Sequence, residues 1–477
     1  MASGNGRVEQ LKQDILDGPI IKTLFILGWP VMLSNAFQIF YNLVDTYWLG
    51  KIGKEAVAAP TMGFPIVFLL ISVGFGFSIA GVSLVSQHTG AGHSKDADKA
   101  AGQVISFMFT VSIFIAAIGY LTSKPLLGQV MQAPPSVLPL ATTYIKIIFA
   151  GLPFMFVFFA FRALTRGIGD MVTPMIVTGA SVLLNVVLDP ILIFGWGGLP
   201  ELGVAGAAIA TVVSRGLASV IALYLLFSRA LGIELEWGYL KLKLRWMKQI
   251  VTIGGPSSVG QAGTAVGAIV LMSLISQLGV VAVSAYGIGQ RIIMLMNVLI
   301  WGLASPLTTM IGQNIGAEQV KRATSIAKRA FVALFGMLLM TGTGLFFLRE
   351  PVFRLFIDEP EVVKEGTRFL KLFVWSVPFF GIFALVSSVF RGSGHTRPPM
   401  MLALIRLLGF RVGISYLLAF GIVGIGLGTD GIWYGLSLSN LLGGLLALLW
   451  LSTGSWKEKT ITKIGKRAKK VKETVPL

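Results

Sequence analysis

Two aspartates in apolar surroundings, Asp45 and Asp189, are where this sequence offers chemistry. Upstream of Asp45, Ser34, Gln38 and Tyr41 recur at spacings of three or four, so on a helix they line one face with Asn42 beside them. Thr178, Ser181, Asn185 and Asp189 form a similar stripe. Pro190 follows Asp189 directly, and its missing N–H frees a carbonyl one turn back, near Val186. A carboxylate, amide and hydroxyl oxygens and a free carbonyl suit a hard cation such as sodium, or a carboxyl that takes up and releases a proton. The plainer alternative is helix packing, with each carboxylate bonded to a neighbouring helix or to Arg162 or Arg215.

The elements that must position these groups are membrane helices. Only 13% of the 477 residues are charged and 55% are hydrophobic, against roughly a quarter charged in soluble domains. Apolar runs long enough to cross hydrocarbon recur from Ile20 almost to Trp450. Twelve spans are expected, at about 22–49, 56–86, 101–123, 137–163, 172–196, 202–230, 248–275, 281–311, 325–348, 366–391, 398–423 and 427–452. Continuous runs of this kind read as helices, so the fold class is all-α and polytopic. The first run continues well past the length of a signal-peptide core.

Basic residues set the orientation. Lys95 and Lys99, the Lys241–Lys248 cluster, Lys321, Arg322, Lys328 and Arg329 alternate to one face, which places both termini in the cytoplasm. The net charge of +18 therefore reflects cytoplasmic loops and a basic tail suited to anionic lipid, not nucleic acid. With no cysteine, disulfide and thiolate chemistry are excluded. HTGAGH (88–93) has glycines but lacks the strand and the Lys-Ser/Thr of a nucleotide loop, and reads as a tight turn. His88 and His93 could touch a metal, but no carboxylate spacing supports one. No nucleophile–base pair or metal cluster of an enzyme appears.

The chain is duplicated. Displaced by 226 residues, the first half meets the second without a gap for over sixty positions, with Pro30 on Pro256, Gly53 on Gly279 and Gly90-Ala91 on Gly316-Ala317. At 225, RGIGDMVTPM (166–175) meets RGSGHTRPPM (391–400), and LGVAG (202–206) meets LGTDG (427–431). Six spans per half make these parallel repeats. The expected organisation is a cytoplasmic segment 1–21, a first lobe 22–230, a linker 231–247, a second lobe 248–452 and a basic tail 453–477. Pro30, Pro190 and Pro256 are expected helix bends. At these shifts Asp45 meets Leu271, Asn185 meets Phe410, Asp189 meets Ile414 and Thr211 meets Leu436. The acids are thus not required by the duplicated scaffold.

The segments LGWPVMLSNAFQIFYNLVDTYWLGKIGKEAVAA, RGIGDMVTPM, NVVLDPILIFG and LGVAGAAIATVVSR resemble the multidrug and toxic compound extrusion (MATE) family, in its prokaryotic DinF-like branch. The resemblance runs from about Ile20 to Leu451. It implies an antiporter that exports organic, often cationic and amphipathic, compounds against inward flow of protons or sodium, by alternating access between two six-helix lobes. It carries the family's coupling residues onto Asp45, Asn185, Asp189 and Thr211, which would also be the ligands of any sodium. Gln38, Tyr41, Asn42, Tyr144 and Ser181 would line the substrate cavity, Tyr144 on the resemblance alone. The seventh and tenth spans lack the acids of other branches, which leaves coupling to the first lobe. No organic cofactor is implied, and the expected setting is a monomer in a prokaryotic cytoplasmic membrane. A lipid or glycolipid flippase of the same superfamily is the alternative.

Overall fold

The computed structural model describes residues 4–421 and 426–458. Most of the basic tail, with its expected lipid contact, lies outside the described residues. Among the described residues fifteen α-helices follow one another: α1 (Gly4–Leu16), α2 (Ile20–Ile52), α3 (Lys54–Gly90), α4 (Ser94–Pro125), α5 (Leu138–Ile168), α6 (Val172–Phe194), α7 (Val204–Phe227), α8 (Leu244–Ser276), α9 (Val280–Gly316), α10 (Val320–Arg354), α11 (Pro360–Phe373), α12 (Val377–Gly392), α13 (Arg397–Leu404), α14 (Ser415–Phe420) and α15 (Thr429–Ser452). A π-helical stretch, Ile405–Ile414, joins α13 to α14. Twelve helical segments among the described residues are long and apolar enough to cross a membrane, and each coincides with an expected span. Intrahelical bonding satisfies their backbones where water is absent. Exposed side chains such as Phe114, Leu121, Leu183, Met340, Phe347 and Leu449 give them the apolar surface that a lipid-facing helix requires.

Two compact units emerge, one holding Trp29–Ser258 with the chain up to Asp14, the other Ile15–Gly28 with the chain from Val259 on. One of the three changeovers falls near the end of α1, and the other two inside α2 and α8, within three residues of Pro30 and Pro256. In the first unit α5 packs on α3, α4 and α7 around buried Leu84, Met108, Phe156, Phe161 and Leu164. In the second unit α12 packs on α9, α10 and α15, with Phe369, Phe390 and Trp433 fully buried.

The duplication reaches the backbone. Gly203 opens α7 with φ 54° and ψ −128°, and its counterpart Gly428 opens α15 with φ 58° and ψ −131°, a conformation that L side chains rarely adopt. The same comparison corrects the register of α14. Leu202 N–H donates to Leu192 O and Gly203 N–H to Ile193 O, whereas Leu427 donates to Leu418 and Gly428 to Ala419. A shift of 225 on the donors is 226 on the acceptors, so the π-helical stretch has taken in one extra residue. Beyond it Asp189 corresponds to Ser415 rather than Ile414, and Arg411, whose carbonyl accepts from Ser415 N–H one turn on, takes the place of Phe410 opposite Asn185.

Candidate cation and substrate site

The helix that carries Asp189 is firmly started. Gly169 takes φ 99° to end α5, a left-handed turn suited to glycine. Asp170 then accepts from the backbone N–H groups of Val172 and Thr173 at 3.1 and 3.0 Å, and from the Thr173 hydroxyl at 2.5 Å. From that start α6 brings its polar stripe inward, with Thr178, Asn185 and Asp189 buried and Asp189 0% exposed.

Asn185 Nδ2 donates to Asp189 Oδ1 at 3.1 Å. Asp189 Oδ2 and Asn185 Oδ1 are both buried with no hydrogen-bond partner among the described residues. On α7, Thr211 Oγ1 lies 2.7 Å from Tyr41 Oη of α2, which ties the α2 stripe to α7. Ser181 Oγ donates to the Ser214 carbonyl at 3.0 Å, and Ser34 Oγ to the Pro30 carbonyl at 2.8 Å. Asp45 is half-buried and its Oδ1 has no partner among the described residues; the same holds for Trp48 Nε1. The carboxyls of Asp45 and Asp189 lie close enough for their charges to interact, and Tyr41 and Tyr144 stand in the same field.

Arg215 does not pair with either aspartate. Its Nη2 donates to Gln38 Oε1 at 3.3 Å, and its guanidinium sits 5.4 Å over the Tyr41 ring. Gln38 Nε2 reaches Asn42 Oδ1 at 3.4 Å, although Asn42 itself is exposed. Pro30, Pro190 and Pro256 lie inside α2, α6 and α8 as the sequence requires. The first unit thus gathers two carboxylates with orphaned oxygens beside amide and hydroxyl oxygens, which is an acceptor-rich setting for a small cation or proton.

A second group corrects the expectation about the 88–93 turn. Asp96, on the first turn of α4, joins His88 and His93, with one ligand atom from each within 4.8 Å of the others. The carboxylate was hidden because it lies across a helix start rather than in the motif. Lys99 Nζ already holds Asp96 Oδ1 at 3.1 Å, which opposes a further cation there.

The comparisons agree with this architecture. The MatE family profile matches residues 30–191 and again 256–417, once in each half. The chain belongs to the MatE family. This MatE protein is 27% identical over 449 residues to the probable multidrug resistance protein YoeA of Bacillus subtilis, covering 93% of the chain and 95% of the relative. It is 25% identical over 442 residues to the probable multidrug resistance protein NorM of Thermotoga maritima, covering 93% and 94%. Among solved structures, that of a MATE protein in the bent conformation superposes with a TM-score of 0.86 at 25% identity, covering 96% of this chain and 98% of that one. The MatE protein is a multi-pass membrane transporter and not an enzyme.

Proposed function

We propose that this protein is a secondary active multidrug efflux antiporter of a prokaryotic cytoplasmic membrane. It exports organic, often cationic and amphipathic, compounds in exchange for protons or sodium. The observation that carries the reading is the pair of carboxylates, Asp45 and Asp189, each with a buried oxygen that has no donor among the described residues. Burying a carboxylate without a counter-charge is costly in hydrocarbon, and taking up a proton or cation removes that cost. Asn185 and Thr211 supply further oxygens to the same ion. Once neutralised, the site holds a cationic substrate less well and releases it; emptied toward the cytoplasm, it accepts the next. Ion and substrate then drive transport because each prefers a different state of one cavity.

The named relatives carry the name probable multidrug resistance protein, which supports organic export. Alternating access is supported by the prolines beside the changeovers in α2 and α8, where a missing backbone bond makes bending inexpensive, and by the bent state of the solved relative. The test is ethidium efflux from proteoliposomes of the purified protein under an imposed proton or sodium gradient. Efflux accelerated by either gradient, and not by a membrane potential alone, is expected. Efflux indifferent to both gradients would refute ion-coupled export.

A further inference from the structure

The second unit inverts the electrostatics of the first. In the places of Asn185 and Asp189 stand Arg411 and Ser415, and Arg406 lies further back on the same π-helical segment. Arg406 is 4% exposed and Ser415 0%, while Arg411 is only partly buried. Both guanidiniums converge on one amide oxygen. Arg406 Nη1 reaches Asn440 Oδ1 at 3.3 Å and Arg411 Nη2 reaches it at 2.9 Å, while Arg411 Nε donates to Ser439 Oγ at 3.2 Å. Asn440 Nδ2 is fixed by Ser376 Oγ at 3.0 Å. Phe380 and Phe383 hold Arg406 by their ring faces, at 4.9 and 4.7 Å.

Neither arginine has a carboxylate partner among the described residues. Acids on α11 and α15 are engaged elsewhere, Asp430 with Arg368 and Glu365 with the Trp433 indole N–H. Two like charges sharing one neutral acceptor in a membrane-spanning segment are costly unless something negative joins them. Donors wait for it: Arg406 Nε and Ser415 Oγ are both buried without a hydrogen-bond partner. A π-helical interruption is itself frequent at ligand sites. We propose that Arg406, Arg411 and Ser415 form a subsite for the anionic group, carboxylate or phosphate, of an amphipathic compound, with Arg411 the first contact. A guanidinium fork matches either group in two parallel hydrogen bonds. Resting on the export reading, this widens the carried compounds from organic cations to zwitterions and organic anions.

The probes are rhodamine 110, which bears a free carboxylate, and rhodamine 123, its methyl ester. Binding to the purified full-length protein is read by fluorescence anisotropy, with no gradient, so a failure of ion coupling leaves this result unaffected. The wild type is expected to bind rhodamine 110 more tightly than the ester. Arg411→Gln and Arg406→Gln are expected to weaken rhodamine 110 by roughly tenfold or more, the worth of one charged hydrogen bond. Rhodamine 123 should stay within about twofold. Arg411→Lys and Ser415→Ala, which leave the Arg406 packing intact, should give smaller losses confined to rhodamine 110. Equal binding of acid and ester by the wild type, or equal loss of both dyes in the variants, would overturn the subsite. So would co-purified phosphatidylglycerol that Arg411→Gln loses and rhodamine 110 cannot displace, because the arginines would then serve a lipid headgroup.

Discussion

Replacing Asp189 with Asn exchanges a carboxylate oxygen for an NH2 group where acceptors already outnumber donors. Asp189 Oδ1 has one donor, Asn185 Nδ2 at 3.1 Å, while Asp189 Oδ2 and Asn185 Oδ1 have none among the described residues. An amide at 189 can donate to Asn185 Oδ1, and it removes a buried charge that has no ion pair. Satisfying one orphaned buried acceptor is worth about 1–3 kcal/mol. Asp189→Asn is therefore expected to stabilise the protein while it abolishes coupling, as functional residues often cost stability. The assay is thermal unfolding of the purified protein in detergent at pH 8 in choline chloride, so that sodium does not stabilise the wild type by binding. At roughly 2–4 °C per kcal/mol for a unit of about this size, a rise of at least about 2 °C is expected. A fall of that magnitude would refute the reasoning, because it would mean that Asp189 has a positive partner whose loss outweighs the gain.

Other consequences are local. A Cβ on Gly206 would collide with the Leu192 carbonyl just past Asp189, so Gly206→Ala should destabilise by about 1–3 kcal/mol and slow efflux, read by unfolding and by dye transport. Gln103 clasps the 231–247 linker, donating to the Tyr239 and Lys241 carbonyls at 2.6 and 2.7 Å and accepting from Lys243 N–H at 2.7 Å; Gln103→Ala should accelerate hydrogen exchange over 237–243 several-fold. Tyr41 and Thr211 share a 2.7 Å hydrogen bond, and a double-mutant cycle with Tyr41→Phe and Thr211→Val should return a coupling of about 0.5–1.5 kcal/mol in unfolding.

Much of the fold is legible because bilayer thickness dictates the length of apolar runs, and all twelve expected spans have their helices. Duplication is legible because glycines such as Gly203 and Gly428 must hold the same left-handed backbone in both halves. The polar stripe of α6 is visible because a carboxylate in an apolar run stands out. What escapes is physical too. One residue absorbed by a π-helix leaves no mark in an apolar sequence, so Arg411 and Ser415 hide behind Phe410 and Ile414 in the unshifted repeat. Arg406 escapes a search for acids. Asp96 meets His88 and His93 only because the chain turns at Gly92 before α4 begins. The changeover between units inside α2 and α8 follows from packing, which hydropathy does not encode.

The central claim is that Asp45 and Asp189 carry the coupling ion. Its most direct test counts ions against substrate in proteoliposomes, following internal pH by a trapped dye or sodium by its radioactive isotope while ethidium leaves. The wild type is expected to take up one of these ions in step with ethidium, and Asp45→Asn, Asp189→Asn and the double variant to lose that uptake and to bind ethidium more weakly. Undiminished ion uptake coupled to ethidium release in the double variant would contradict the account.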